Sequence, residues 1–221
     1  MKRISAFQVM GPVMIGPSSS HTAGALRIAQ IAAHILKEPA DKVIFYLYGS
    51  FAETYQGHGT DRALLAGMLG YSTDHPDIRN AYDIAREGQL KYQFIPATLK
   101  EGMHPNTVSI EVVGSSGKKL SLTGASIGGG EVIVNVINGI DVAFTGEYPT
   151  LIVQQQDRPG VAAHITSILA SAGVNIGTIR MYRESRSNRA FTILETDEKL
   201  SSDLVDRILE NKNIYDVFMI N

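Results

Sequence analysis

The chain has 221 residues, 44% of them hydrophobic and 19% charged, the balance of an ordinary folded polypeptide of one large domain or two small ones. Its formal net charge is -2, its pI is near 6.3, and its lysines and arginines are scattered, so neither nucleic acid nor a membrane surface is expected as a partner. Cysteine is absent, which excludes disulfides, thiolate metal ligands and a cysteine nucleophile. No apolar run has the length of a membrane span and no signal-peptide pattern opens the chain, so a cytoplasmic location is the expectation.

In chain order, residues 4–10 (ISAFQVM) read as a short strand, and GPVMIGP leads by turns into GPSSSHTAG at 16–24. Three consecutive hydroxyls followed by an imidazole serve no packing purpose. Placed at a helix entrance, where the first N–H groups lack intrahelical partners and the dipole favours negative charge, they make a pocket sized for a carboxylate or phosphate. The alternative is an ordinary N-cap, for which one serine would suffice. The helix that follows is predicted over 22–37, buried around most of its circumference, with Arg27, Gln30, His34 and Lys37 on one polar stripe. His34 on that stripe is a surface residue. Glu38-Pro39 ends the helix.

A strand is predicted over 43–48 (VIFYLY). A second glycine- and histidine-bearing helix entrance follows at GHGTD, 57–61, with Thr60 as the expected N-cap and a helix over 61–69 closed by Gly70. Residues 74–87 read as a third helix with Pro76 near its start, preceded by His75 as a turn residue. Strands are expected at 90–96 and from HPNT (104–107) through SIEVV, with GSSG at 114–117 as a hairpin turn. Three glycines at 128–130 indicate a bulge or a close backbone approach. Asn138-Gly139 marks a further hairpin.

After TGEYP, a linker at 145–149, the pattern becomes strand (151–155), DRPG turn, helix (161–172), strand (175–183), SRSN turn, strand (189–195), a helix capped by Ser202, and strand (215–220). That β-α-β-β-α-β order is the ferredoxin-like arrangement. The fold class expected is therefore α+β, with domains at 1–145 and 149–221.

Histidine has the unperturbed pKa closest to neutrality, so an imidazole at each helix entrance suits proton transfer. Ser18, Ser19, Ser20 and Thr22 would hold an anion, leaving His21 or His58 to face the rest of the ligand. Asp61 would orient the His58 imidazole or cap its helix. His104, before Pro105-Asn106, is a weaker candidate. No lysine lies beside these motifs to form a pyridoxal Schiff base, and GxSxG, HExxH and Walker patterns are absent.

GPSSSHT (16–22), GHGTD (57–61), HPNT (104–107) and SIGGG (126–130) resemble, in this order and over the full length, motifs of the beta chain of the bacterial iron-sulfur-dependent L-serine dehydratase. Residues 150–221 resemble an ACT domain, on DRPG and on the Asn175-Ile176 pair. The first domain is also similar to the allosteric substrate-binding domain of 3-phosphoglycerate dehydrogenases. The resemblance implies a lyase of amino-acid metabolism and gluconeogenesis that deaminates L-serine to pyruvate and ammonia by β-elimination. It implies His58 and His21 as catalytic residues. It further implies Ser18, Ser19, Ser20, Thr22, Thr60, Asp61, His104 and Asn106 around the substrate, and Gly160, Asn175 and Ile176 as an effector site in the ACT domain. The reaction calls for a [4Fe-4S] cluster, held by thiolates. Without cysteine, this chain would rely on a separate alpha chain for it, and no metal ligand is assigned here. A homodimer through the ACT domain is a further expectation. Two alternatives are a regulatory anion- or amino-acid-binding module without chemistry, as in the phosphoglycerate dehydrogenases, and a free-standing ACT-type sensor.

Overall fold

The computed structural model describes residues 13–185 and 188–220. The strand expected at 4–10 lies outside them, as do two residues of the SRSN turn. The chain divides into two compact units, the first ending at Gly139 and the second beginning at Ile140.

The first unit is a sheet with helices on one face. Its strands are β1 (Ala40–Tyr48), β2 (Lys91–Ala97), β3 (Thr107–Gly114), β4 (Lys119–Gly128) and β5 (Glu131–Ile137), in the spatial order β2-β1-β3-β4-β5. β1 and β2 are parallel, and β1-β3-β4-β5 are antiparallel. Alternation sets the faces: Val43, Phe45 and Leu47 of β1 are fully buried, as are Val108 and Ile110 of β3, whereas Lys42, Ser109 and Glu111 point the other way. Helix α1 (Ala25–Leu36) lies across β3, β4 and β5, and α3 (Thr60–Met68) packs on α1. Between β1 and α3 stands a short helix, α2 (Ser50–Thr54), that the sequence pattern does not reveal.

The polar stripe of α1 is where the pattern placed it, but part of it works as tethers. Arg27 donates to the Gly130 carbonyl at 3.0 Å and Gln30 to the Tyr71 carbonyl at 2.6 Å, while His34 is exposed. Ahead of α1 the chain winds as a π-helix, Ser19–Gly24, rather than starting an α-helix at Thr22. Residues 74–87 form a 3-10 helix (Pro76–Asn80) and then α4 (Ala81–Glu87), not one helix. His75 occupies the turn expected of it, accepting the Asp77 N–H and stacking on Tyr71. The glycines at 128–130 all take positive φ, and the β4–β5 register shifts beside them, the bulge expected of that run.

At Asn138 and Gly139 φ is 50° and 79°, the sign pattern of the type I′ turn that an Asn-Gly pair favours. The second unit begins there with β6 (Ile140–Phe144). It continues with β7 (Thr150–Gln156), α5 (Val161–Ser171), β8 (Ile176–Arg183), β9 (Arg189–Thr196), α6 (Asp203–Leu209) and β10 (Ile214–Ile220). Its sheet runs β10-β7-β9-β8, all antiparallel, the order that β-α-β-β-α-β connectivity produces. Leu151, Val153 and Leu194 meet Val161, Ile165, Leu169, Leu204 and Ile208 in its core. Ser202 precedes α6 but makes no side-chain cap, because its own backbone is already helical, with φ -63° and ψ -29°.

Candidate active site

The two glycine-bearing motifs meet. Ser18 is the N-cap of the π-helix, its hydroxyl accepting the His21 backbone N–H at 3.2 Å and lying 3.4 Å from His21 Nδ1. His21 Nε2 is 3.0 Å from the Ser50 hydroxyl, and the His21 ring packs edge-on against Phe51, with centroids 5.2 Å apart. The His58 ring meets the same imidazole at 4.8 Å, nearly perpendicular. Thr22, 2% exposed, donates its hydroxyl to the His58 carbonyl at 3.3 Å, which ties the second loop to the first. Gly16, at φ 142°, lets the preceding loop press on Thr22, because a Cβ there would lie 2.8 Å from the Thr22 Cβ.

Burial acts first, and the neighbouring His58 second, to hold the His21 pKa below its ordinary 6.5, while hydrogen bonding at Ser50 opposes them. The folded site therefore favours the neutral form of His21, which is half-buried, with His58 exposed in front of it. Beside His58 opens a cleft of about 390 Å³, lined by Gly16, Thr22, His58, Gly59, Arg62 and Arg79 among others. A larger open groove, about 510 Å³, lies on the sheet face at Lys42, Glu111 and Lys119 and contains none of the motif residues.

Other candidates are placed differently from the expectation. The N-cap of α3 is Gly59, whose φ of 68° suits glycine, so Thr60 is already the first helical residue. Thr60 is fully buried, and its hydroxyl has no hydrogen-bond partner among the described residues. The Asp61 carboxylate faces inward: Tyr82 donates its hydroxyl to Oδ2 at 2.6 Å and the Arg62 N–H binds Oδ1 at 2.7 Å. Its partners are thus a tyrosine and the N–H of the next residue, with neither His58 ring nitrogen among them. His104 Nδ1 accepts the Asn106 N–H of its own loop, and the Asn106 carbonyl accepts the Ser126 N–H. Neither residue lines the cleft, although Pro105 abuts Gly49 and its carbonyl accepts the Phe51 N–H, so the loop braces the turn that carries Ser50. SIGGG also supports from behind. Gly24 packs on Ser126, so closely that a Cβ at Gly24 would overlap the Ser126 hydroxyl.

Ser50, Phe51, Tyr82, Arg62 and Arg79 escaped the sequence reading. Ser50 had a signal: it follows a glycine at the carboxyl end of a strand with a parallel neighbour, where α/β sheets place their ligand sites. In the second unit, Asn175 and Ile176 line a shallow groove with Thr166, Ser167, Ala170 and Val174. The Asn175 amide is already bonded to Asp197 at 2.6 Å, and Gly160 caps α5 at φ 86° without lining that groove.

Among the described residues no group of three or more histidines and carboxylates is gathered to hold a metal ion. No helix among them is long and apolar enough to cross a membrane.

A mixed α+β chain with a ferredoxin-like second unit, whose first unit sets an imidazole pair beside a cleft, defines a structural class. Within that class the chain belongs to the serine dehydratase beta chain family, whose pattern matches residues 5–136, and an ACT domain matches residues 149–213. It is 40% identical to the L-serine dehydratase beta chain of Peptoniphilus asaccharolyticus over 95% of this chain and 94% of that one. It is 37% identical to a probable L-serine dehydratase beta chain of Bacillus subtilis over 100% and 99%. A D-3-phosphoglycerate dehydrogenase of Methanocaldococcus jannaschii is 29% identical over 72% of this chain but only 30% of its own length.

Proposed function

We propose that this chain is one half of a two-chain L-serine dehydratase, converting L-serine to pyruvate and ammonia. The observation that carries this reading is the His21–His58 pair, with rings 4.8 Å apart and His58 on the cleft, in a chain similar end to end to named beta chains. His58 takes the proton from Cα of serine. The Cβ–O bond breaks, and the hydroxyl leaves as water with the proton that His58 returns to it. The resulting enamine tautomerises to an imine, which water hydrolyses to pyruvate and ammonia. His21, kept neutral by its surroundings, stands behind His58 and limits where its ring can turn. Thr22, Thr60 and Asp61 hold the His58 loop in place, Ser18, Ser19 and Ser20 form the helix entrance that carries His21, and the loop of His104 and Asn106 braces the turn that carries Ser50.

With no cysteine this chain does not fit an iron-sulfur cluster. We place the [4Fe-4S] cluster on the alpha chain, where it would supply a Lewis acid for the departing hydroxyl. The functional division we favour is 1–145 for substrate chemistry and 149–221 for an ACT domain that pairs two copies and binds an amino acid in the groove at Asn175 and Ile176, with Gly160 shaping the entrance of α5 outside it. The enzyme would work in the cytoplasm. The full-length match to beta chains, against a match to less than a third of the dehydrogenase, favours the lyase over a purely regulatory role.

The test is an anaerobic assay of the chain co-expressed with a cysteine-bearing alpha chain, following pyruvate after L-serine is added. Turnover that needs both chains is expected. His58→Ala should lower kcat at least about a hundredfold, the scale of general-base catalysis, with the unfolding midpoint unchanged. Near-normal turnover in that variant removes His58 as the base. A stable, cluster-bearing complex without turnover removes the lyase reading.

A further inference from the structure

The cleft beside His58 holds two positive charges for which the reading above has no use. Arg62 and Arg79 both line it, and none of its lining residues is acidic. Neither guanidinium is hydrogen-bonded or ion-paired to another described residue. The carboxylates nearest in sequence are Asp61, 5% exposed and turned onto Tyr82, and Asp77, which accepts from Asn80; neither lines the cleft. The serines do not supply the anion contacts there either. Ser18 is spent on His21, Ser19 and Ser20 lie within the π-helix, and none of the three lines the cleft.

Placement gives the two arginines a direction. Arg62 is in the first turn of α3, four residues after His58, and the amino end of that helix favours an anion. Arg79 comes from the 3-10 helix, which packs against α3. A guanidinium offers a planar fork of donors that matches a carboxylate bidentately, which an ammonium or a hydroxyl does not.

We propose that Arg62 and Arg79 are the carboxylate anchor of the substrate site. They grip the α-carboxylate of the amino acid and so set its Cα, one bond away, against His58. Pairing the carboxylate with guanidinium also withdraws electron density from Cα, making the proton that His58 removes more acidic. This rests on the lyase reading for the identity of the ligand and deepens it by naming the groups that bind it.

The test uses the assembled two-chain enzyme with Arg62→Gln, Arg79→Gln and the double variant. L-serine is compared with L-serinamide, which lacks the carboxylate. Each single variant should raise KM for L-serine about tenfold or more, the usual loss for a charge-assisted hydrogen bond, with kcat less affected. The wild-type preference for L-serine over L-serinamide should collapse in the double variant, a change that a merely structural role would not produce. Arg86→Gln, which removes a guanidinium paired with Asp83 on the surface outside the cleft, should leave both constants unchanged. Wild-type KM and undiminished discrimination in the double variant overturn the anchor and leave the lyase reading intact. If the wild-type assembly turns over no L-serine, the full chain is titrated with L-serine and with inorganic sulfate. Binding lost in the double variant still supports an anion anchor, and binding unchanged or absent in the wild type overturns it.

Discussion

Tyr82 and Asp61 form the pair on which the His58 loop is seated. Asp61 is 5% exposed, and its carboxylate holds the Tyr82 hydroxyl at 2.6 Å and the Arg62 N–H at 2.7 Å. A hydrogen bond to a charged group contributes about 1.5–3 kcal/mol, and breaking it leaves a buried carboxylate underpaired. Tyr82→Phe should therefore lower unfolding stability by about 2 kcal/mol, read as a reduced urea midpoint at unchanged slope. A midpoint equal to wild type would mean that Asp61 finds another donor or that the bond contributes nothing net. At the same scale, Ser126 shows how far the motifs are structural. Its hydroxyl is buried without a partner among the described residues, and its position is set by the close approach of Gly24.

At the scale of elements, the site depends on how near α3 comes to α1. Gly67 of α3 faces the backbone of α1: a Cβ there would run into the Leu26 carbonyl oxygen and would lie 2.7 Å from the Ala29 Cβ and 3.1 Å from the Gln30 nitrogen. Alanine gains about 1 kcal/mol over glycine in a helix interior, whereas overpacking costs about 1–3 kcal/mol. The steric cost wins here, because the obstructing atoms are main chain of a buried helix and cannot rotate away. Gly67→Ala should destabilise the chain by about 1–2 kcal/mol in denaturant unfolding. It should also weaken turnover, because moving α3 outward shifts His58 from His21. A stabilised variant with full turnover would show that the two helices slide without consequence.

For the whole molecule, His21 and Tyr82, two half-buried groups with displaced pKa values, each make stability depend on pH. The His21 pKa lies below its ordinary 6.5, chiefly through burial and then through His58, so the folded state prefers the neutral ring. That contribution is present above pH 6.5 and is lost as pH falls through the depressed value. The Tyr82 pKa lies above its ordinary 10.0, chiefly through burial and then through its bond to Asp61. That contribution is present below pH 10 and is lost as pH rises through the raised value. Stability should be flattest between these limits. His21→Gln should soften the acid side and Tyr82→Phe the alkaline side, in thermal midpoints recorded across pH. A pH profile unaltered in both variants would assign the titration to other groups.

Local patterns in the sequence determined much of the architecture. A three-to-four-residue period made α1 legible with its polar stripe, alternation made the strands legible, and Asn138-Gly139 marked its turn through backbone preference alone. The β-α-β-β-α-β order of the last 70 or so residues follows from the same signals. Glycines and histidines at two helix entrances also marked the two loops that the fold brings together. Tertiary structure alone decided what those entrances do together. His21 meets His58 and Ser50 because α1, α2 and α3 converge at one end of the sheet, and no periodicity encodes that meeting. Asp61 could serve His58 or its own helix as far as spacing goes, and the arrival of Tyr82 from α4 settled where its carboxylate is bound. Arg62 and Arg79 look like ordinary surface cations until folding brings them to one cleft with no acidic residue among its described lining. The physical reason is range: backbone preference and periodicity act over a few residues, whereas charge pairing and cleft lining depend on which distant side chains packing brings within a few ångströms.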